Sequence, residues 1–212
     1  MEKLISHILF IGSGVALTLQ LLIGGLSMGL LLGGLFSILR YKKIATPLIN
    51  RFVSVLRGTP VILQLSFIYF STPGLVGIKL SILEAGILTF GLNSSAYIAE
   101  ILRSGIESLP KGQFEASKTL QISSFYMWKD IILPQVTRNV LPSLVSEVIA
   151  LLKETALIAT IGGMDILRKS QTLGAEQFTY FLPLCIAGCY YYSLVLFIEY
   201  LGKKMEQRGS YA

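Results

Sequence analysis

The chain has 212 residues, of which 53% are hydrophobic and 14% charged, and its mean hydropathy is +0.67. One aqueous core of ordinary composition cannot hide that much apolar surface, which excludes a soluble globular domain and places the chain in a bilayer. The formal net charge of +6 is carried largely by basic residues clustered after apolar runs, a pattern of membrane topology that removes the motivation for a nucleic-acid partner.

A helical span takes roughly 20 apolar residues, and five stretches qualify: residues 8–39, 59–77, 80–102, 140–161 and 179–201. The first lacks a small-residue cleavage site after a short apolar region, so it reads as a retained span rather than a signal peptide. Within it Gly25, Gly29 and Gly33 recur every four residues beside Gly24 and Gly34, a face that lets another helix approach closely. Packing within the chain is the favoured use of that stripe, with a subunit seam as the other. Gly12-Ser13-Gly14 lacks the third glycine of a dinucleotide loop and receives no function.

Arg57-Gly58-Thr59-Pro60 opens the second run, with Thr59 suited to cap a helix that Pro60 begins and Arg57 near its amino terminus as a surface anchor. Gln64, deeper in the run, is a candidate for a transport pathway. In the third run Asn93, Tyr97 and Glu100 share one helical face, and Arg103 is placed to pair with Glu100. This face reads equally as a hydrogen-bonded seam or a pathway lining.

Residues 107–135 are built for water rather than lipid, with Lys111, Glu115, Lys118, Lys129 and Asp130 spread along them. Ala116 with Leu120, then Phe125, Trp128 and Ile132, give each of two short helices an apolar side. Ser123 and Ser124 are expected to cap the second helix and Pro134 to stop it. A short helix presenting small residues beside a carboxylate is shaped to dock on another protein.

The fourth run holds Glu147, Lys153 and Glu154, groups that cost roughly 2.5–3.5 kcal/mol each in hydrocarbon and so must face a partner or water. A zwitterionic amino acid needs a carboxylate or carbonyl partner for its ammonium group. Gln64, Asn93, Lys153 and Glu154 are therefore expected to line a substrate route, with a structural ion pair as the competing use of Lys153 and Glu154. In the fifth run at least one of Tyr190, Tyr191 and Tyr192 is expected to hydrogen-bond within the bundle. Cys185 and Cys189 favour apolar packing over a metal site, for which no further ligands lie nearby.

Of the 18 basic residues, 13 follow the first, third and fifth runs, whereas Lys3, Lys79, Arg168 and Lys169 fall on the other side. The amino terminus is then outside and the carboxyl terminus inside. No phosphate-binding G-x-x-x-x-G-K-[ST] loop and no hydrolase triad occurs, so neither ATP hydrolysis nor other catalysis is expected of this chain.

Glu115-Ala116-Ser117 with Leu120, followed by Ile131-Ile132-Leu133-Pro134-Gln135, resembles the EAA loop of ABC-importer permeases. The flanking Arg57-Gly58-Thr59-Pro60 with Gln64, the stretch from Ala96 to Arg103, Pro110-Lys111-Gly112-Gln113, and Leu152-Lys153-Glu154-Thr155 look like the polar amino acid branch of that family. Gln121 stands where the family usually has glycine, and Ser117 where it has a second alanine; a left-handed turn at Gln121 would cost about 1 kcal/mol. The resemblance implies an all-α membrane protein, a single transmembrane domain over residues 1–212 with five membrane helices and a cytoplasmic coupling helix, of the type I, MetI-like class. It implies the permease subunit of a bacterial inner-membrane importer for a polar amino acid, glutamine among the candidates. Glu115 would be the main contact with the ATPase, with Ala116, Ser117 and Leu120 filling the groove. Implied partners are two ATPase subunits that bind ATP and magnesium, a second permease subunit, identical or related, and an extracellular or periplasmic amino-acid-binding protein; the chain itself would hold no cofactor. The alternatives from other classes are a proton-coupled secondary amino acid carrier relaying through Glu100, Glu147 or Glu154, and a scaffold subunit with no pathway.

Overall fold

The computed structural model describes residues 2–210. Met1, Tyr211 and Ala212, part of the expected single domain, lie outside the described residues, as does the side chain of Arg208. Every regular element among the described residues is helical. The first run is two helices, α1 (Glu2–Gly12) and α2 (Val15–Tyr41), broken at Ser13 and Gly14. A Cβ on Gly14 would lie 2.5 Å from the carbonyl carbon of Asp165, so the glycine pair that sequence left without a role admits a close backbone approach.

α2 packs along α5 (Ile82–Glu107), and the glycine stripe is the seam. Gly25 faces Phe90, Gly29 faces Ser94, and Gly33 faces the Ser95 carbonyl and Ile98. The favoured use within the chain is the one observed. α5 begins in a capping box, with Ser81 accepting from the Glu84 amide at 3.3 Å and Glu84 accepting from the Ser81 amide at 2.8 Å.

α3 (Thr46–Gly58) and α4 (Val61–Val76) meet at a bend of 103°. Here the structure corrects the expected cap: Thr59 closes the end of α3 in extended conformation, and Pro60 occupies the cap position of α4. The residue before a proline is pushed out of helical geometry, which ends α3 one position before the expected start of the next helix. Arg57 accordingly lies in the last turn of α3, not at an amino terminus.

The polar stretch forms α6 (Lys111–Thr119) and α7 (Ser124–Tyr126), then a π-helical segment, Met127–Ile132, that runs straight into α8 (Leu133–Glu154). Pro134 thus does not stop a helix; it sits in the first turn of α8, where a missing amide leaves little unpaired. Neither Ser123 nor Ser124 makes a side-chain cap. A 3-10 turn, Thr155–Ile161, leads to α9 (Ile166–Glu176), and α10 (Phe181–Ser210) completes the chain.

Leu21, Leu65, Phe90, Leu151, Leu152 and Ile158 form the central core, drawn from α2, α4, α5, α8 and the 3-10 turn. Two of the three adjacent tyrosines bond internally: Tyr190 donates to the Ile8 carbonyl at 3.0 Å and Tyr191 to Asp165 at 2.9 Å. Cys185 and Cys189 are free and exposed rather than packed within the chain, since i, i+4 spacing puts both on one exposed side of α10. By length and composition three helices can cross a membrane, Glu2–Tyr41, Ile82–Glu107 and Phe181–Gln207, and a fourth if α3 and α4 count as one bent span. The expected fourth run is helical, but it changes from α to 3-10 at Thr155 and carries Glu147, Lys153 and Glu154, which keep it out of that set.

Candidate functional site

Two places combine the residues singled out from sequence. The first is α6. Glu115 and Ala116 are exposed and Leu120 is 72% exposed, so a carboxylate and a small apolar patch face outward together. Ser117 does not share that surface: it is 3% exposed and its hydroxyl donates to the Gln113 carbonyl at 2.8 Å. Behind it, Gln113 and Gln135 exchange amide hydrogen bonds at 2.9 and 2.7 Å, and Gln135 also donates to the Ile131 carbonyl at 2.8 Å. Trp128 stacks edge-on with Tyr41, the last residue of α2, at a centroid distance of 4.7 Å. Leu109, Met127, Ile132, Val136 and Val140 make a separate apolar cluster under this assembly. α6 is therefore tied to the start of α8 through the glutamine pair, and the π-helical segment is tied through Trp128 to the end of α2. Sequence reasoning missed the glutamine pair, although both residues lie in stretches it quoted, because residues 22 apart in the chain give no periodic signal.

The turn that ends α6 has Gln121 at φ 54°. The Gln121 amide donates to the Lys118 carbonyl and the Ile122 amide to the Ser117 carbonyl, both at 3.0 Å. That pair of bonds is a Schellman closure, which demands the left-handed residue usually supplied by glycine.

The second place lies between α5 and α8. Asn93, 1% exposed, donates to Glu154 at 3.3 Å, and Ser94 donates to Glu147 at 2.7 Å. The Asn93 side-chain carbonyl oxygen is buried without a partner among the described residues. Neither Glu147 nor Glu154 is ion-paired among the described residues. Of the four residues expected to converge, only Asn93 and Glu154 do. Lys153 is exposed, about 100° round α8 from Glu154, and no Lys153–Glu154 ion pair is present among the described residues. The Gln64 amide is spent on the α3–α4 bend, donating to Leu56 and Thr59 carbonyls at 2.8 and 3.2 Å and to the Thr59 hydroxyl at 2.9 Å. Two half-buried carboxylates and one unpartnered carbonyl make this an acceptor-rich patch, suited to a cationic group such as an ammonium.

Farther along α5, Glu100 gathers three arginines. Arg40 reaches it at 2.5 Å, Arg103 at 2.8 Å and Arg57 at 3.6 Å, and Arg57 also lies over the Tyr97 ring at 5.2 Å. The expected Glu100–Arg103 pair is present; the contribution of Arg40, sixty residues away in sequence, was not legible.

The chain matches the family described as the binding-protein-dependent transport system inner membrane component over residues 7–210. It is 43% identical over 208 residues to a protein named for glutamine transport, the permease protein GlnP of Rickettsia typhi, covering 97% of this chain and 95% of that one. It is 40% identical over 207 residues to the arginine transport system permease protein ArtQ of Bacillus subtilis, covering 96% and 94%. Among solved structures, an amino acid ABC transporter crystallised with histidines superposes with a TM-score of 0.89 at 30% identity, over 97% of each chain. The inward-facing MetNI methionine ABC transporter superposes at 0.74 over 99% of each chain; at 17% identity that likeness concerns the fold alone.

Proposed function

The chain belongs to the binding-protein-dependent transport system inner membrane components, and from that membership we propose how its two sites serve the import of a polar amino acid. It is the permease subunit of an amino acid ABC importer, a membrane component rather than an enzyme, with ATP hydrolysis in a separate subunit. Its fold is the all-helical, MetI-like type I permease fold. The secondary-carrier alternative finds no support among its relatives.

In this reading residues 1–212 form one domain that crosses the inner membrane five times, α8 with its 3-10 extension being the fourth crossing and α4 the second. The amino terminus is outside, and residues 107–135 lie in the cytoplasm as the coupling loop. Relatives named for glutamine and arginine support a polar amino acid as substrate, with glutamine the leading candidate. A second permease chain, a pair of ATPase subunits holding ATP and magnesium, and an external binding protein complete the importer.

Glu115 is the principal contact with the ATPase, flanked by Ala116 and Leu120; Ser117 supports the helix from within. Movement of α6 passes to α8 through the Gln113–Gln135 pair, and α8 carries Glu147 and Glu154 at the acceptor-rich patch. Asn93 and Glu154 line the route and receive the substrate ammonium, with Lys153 and Gln64 on neighbouring surfaces. The observation that carries this reading is the exposed Glu115 on a helix fastened to the same α8 that bears the intramembrane carboxylates. Glu115→Lys, assayed in the reconstituted complex, is expected to insert normally and to leave ATP hydrolysis running without uptake. Uptake coupled normally to hydrolysis in that variant would refute the role. Uptake unchanged in both Glu154→Ala and Lys153→Ala, at equal protein level, would remove those residues from the route.

A further inference from the structure

The basic end of the bundle has an open cavity of about 950 Å³ between the last turn of α2, the length of α3 and the end of α5. Arg40, Arg57 and Arg103 line it against Glu100 and Glu107, an excess of one positive charge. The Arg40 side chain is 8% exposed and gives Nη1 to Glu100, while its Nε is buried with no partner among the described residues. The Thr46 hydroxyl, at the start of α3 and also lining the cavity, is buried and unpartnered too. α3 begins after Ala45 in the left-handed conformation and has no side-chain cap, so the Thr46 and Leu48 amides of its first turn, which flank Pro47, lack a capping acceptor. Buried donors without acceptors, a surplus of guanidinium and an uncapped helix start all call for the same missing group, an anion with several acceptor oxygens.

The surroundings choose among anions. α3 turns through 103° relative to α4, and its inner face, Ile49 and Val53, packs on Ala96 and Ala99. Its outer face leaves Leu48 at 72% and Val55 at 54% exposed, with the exposed Arg51 between them. A short helix with apolar and basic residues on its free side lies in the headgroup region of a bilayer. A soluble phosphate would satisfy the donors and leave this apolar face bare; a phosphodiester carrying acyl chains meets both.

We propose that the cavity binds the phosphate of an anionic phospholipid of the inner leaflet, held by Arg40 and the start of α3, with Arg57 adding positive charge at the other end of the cavity. The inference rests on the membrane topology above but not on the coupling role of Glu115 or on any substrate. Its test is lipid retention by the full-length chain in nanodiscs mixing phosphatidylglycerol with phosphatidylcholine, read by native mass spectrometry. The wild type is expected to retain phosphatidylglycerol selectively, and Arg57→Gln to lower that selectivity about fivefold, one near-surface arginine's worth. Thr46→Val, which changes no charge, is expected to lower it as well, and it carries the test if Arg57→Gln fails to fold. Lys203→Gln with Lys204→Gln, at the far end of α10, should leave it unchanged. Equal loss in that control pair, no selectivity in the wild type, or full displacement by soluble glycerol phosphate would each overturn the proposal. A complex that transports normally yet shows no lipid selectivity refutes this inference alone.

Discussion

Single residues carry the fold's departures from ordinary geometry. Gln121, Lys43 and Phe178 all adopt positive φ immediately after a helix, each with the paired backbone bonds of a Schellman closure. The strain at Gln121 was foreseeable, because glycine is the residue such a closure prefers, and Gln121→Gly should raise stability by about 1 kcal/mol in a denaturation series of the detergent-solubilised chain. Asp165 shows the opposite balance. It is fully buried, caps α9 through the Arg168 amide at 2.8 Å, and accepts from Tyr191. Burial pushes its carboxyl above the ordinary range, and the hydrogen bonds from Arg168 and Tyr191 only partly oppose this. The folded state therefore holds the proton more tightly than the unfolded chain, and stability is lost as pH rises from about 3.9, the unfolded value, through the raised folded one. Asp165→Asn keeps the acceptor for the Arg168 amide and should flatten that slope in melting temperature against pH. Neither the buried position of Asp165 nor the diversion of Gln64 to the α3–α4 bend was legible in sequence, since both depend on where a distant or bent backbone passes.

At the scale of elements, what was legible followed a period. Glycines four apart had to share a face of α2, and they do, against α5. The stripe has a sharp edge. A Cβ on Gly33 would lie 2.8 Å from the Ser95 carbonyl oxygen, a backbone atom that cannot swing aside, whereas one on Gly34 would meet nothing within 4 Å. Gly33→Leu should accordingly lower the melting temperature and yield of the chain through overpacking worth about 1–3 kcal/mol or more, and Gly34→Leu should leave both near wild type. The π-helical segment and the continuation through Pro134 were illegible for the reverse reason: a proline signals a missing donor but not whether it ends one helix or begins the next. The consequence is mechanical, because α6 is joined to a helix that runs unbroken to Glu154 rather than to a free loop. If the Gln113–Gln135 exchange is the joint, Gln113→Ala should reduce uptake per ATP hydrolysed in the assembled complex while hydrolysis persists. The double variant with Gln135→Ala should then be no worse than the single one, a coupling of about 1 kcal/mol in the cycle.

Across the whole molecule, hydropathy and charge place different limits on topology. Hydropathy alone identifies three helices, or four with the bent pair, and the helix that bears Glu147, Lys153 and Glu154 is too polar to join them. Glu147 and Glu154 turn toward α5, where Ser94 and Asn93 meet them; if this helix is the proposed fourth crossing, its function is what hides it from a lipid-based criterion. Basic residues speak to sidedness independently of how many helices are counted. The α6 surface carries Lys111 and Lys118, and the connection after α4 carries only Lys79. If five crossings hold, these two connections lie on opposite sides of the membrane, separated by the single helix α5. With Cys185 and Cys189 replaced by serine, Lys79→Cys should react with an impermeant maleimide on intact cells, and Glu115→Cys only after the membrane is opened. Labelling of both positions from the same side would break the five-crossing arrangement at α5. Labelling at Glu115→Cys from outside with Lys79→Cys protected would keep the crossing but reverse the molecule, and would put α6 out of reach of any cytoplasmic ATPase.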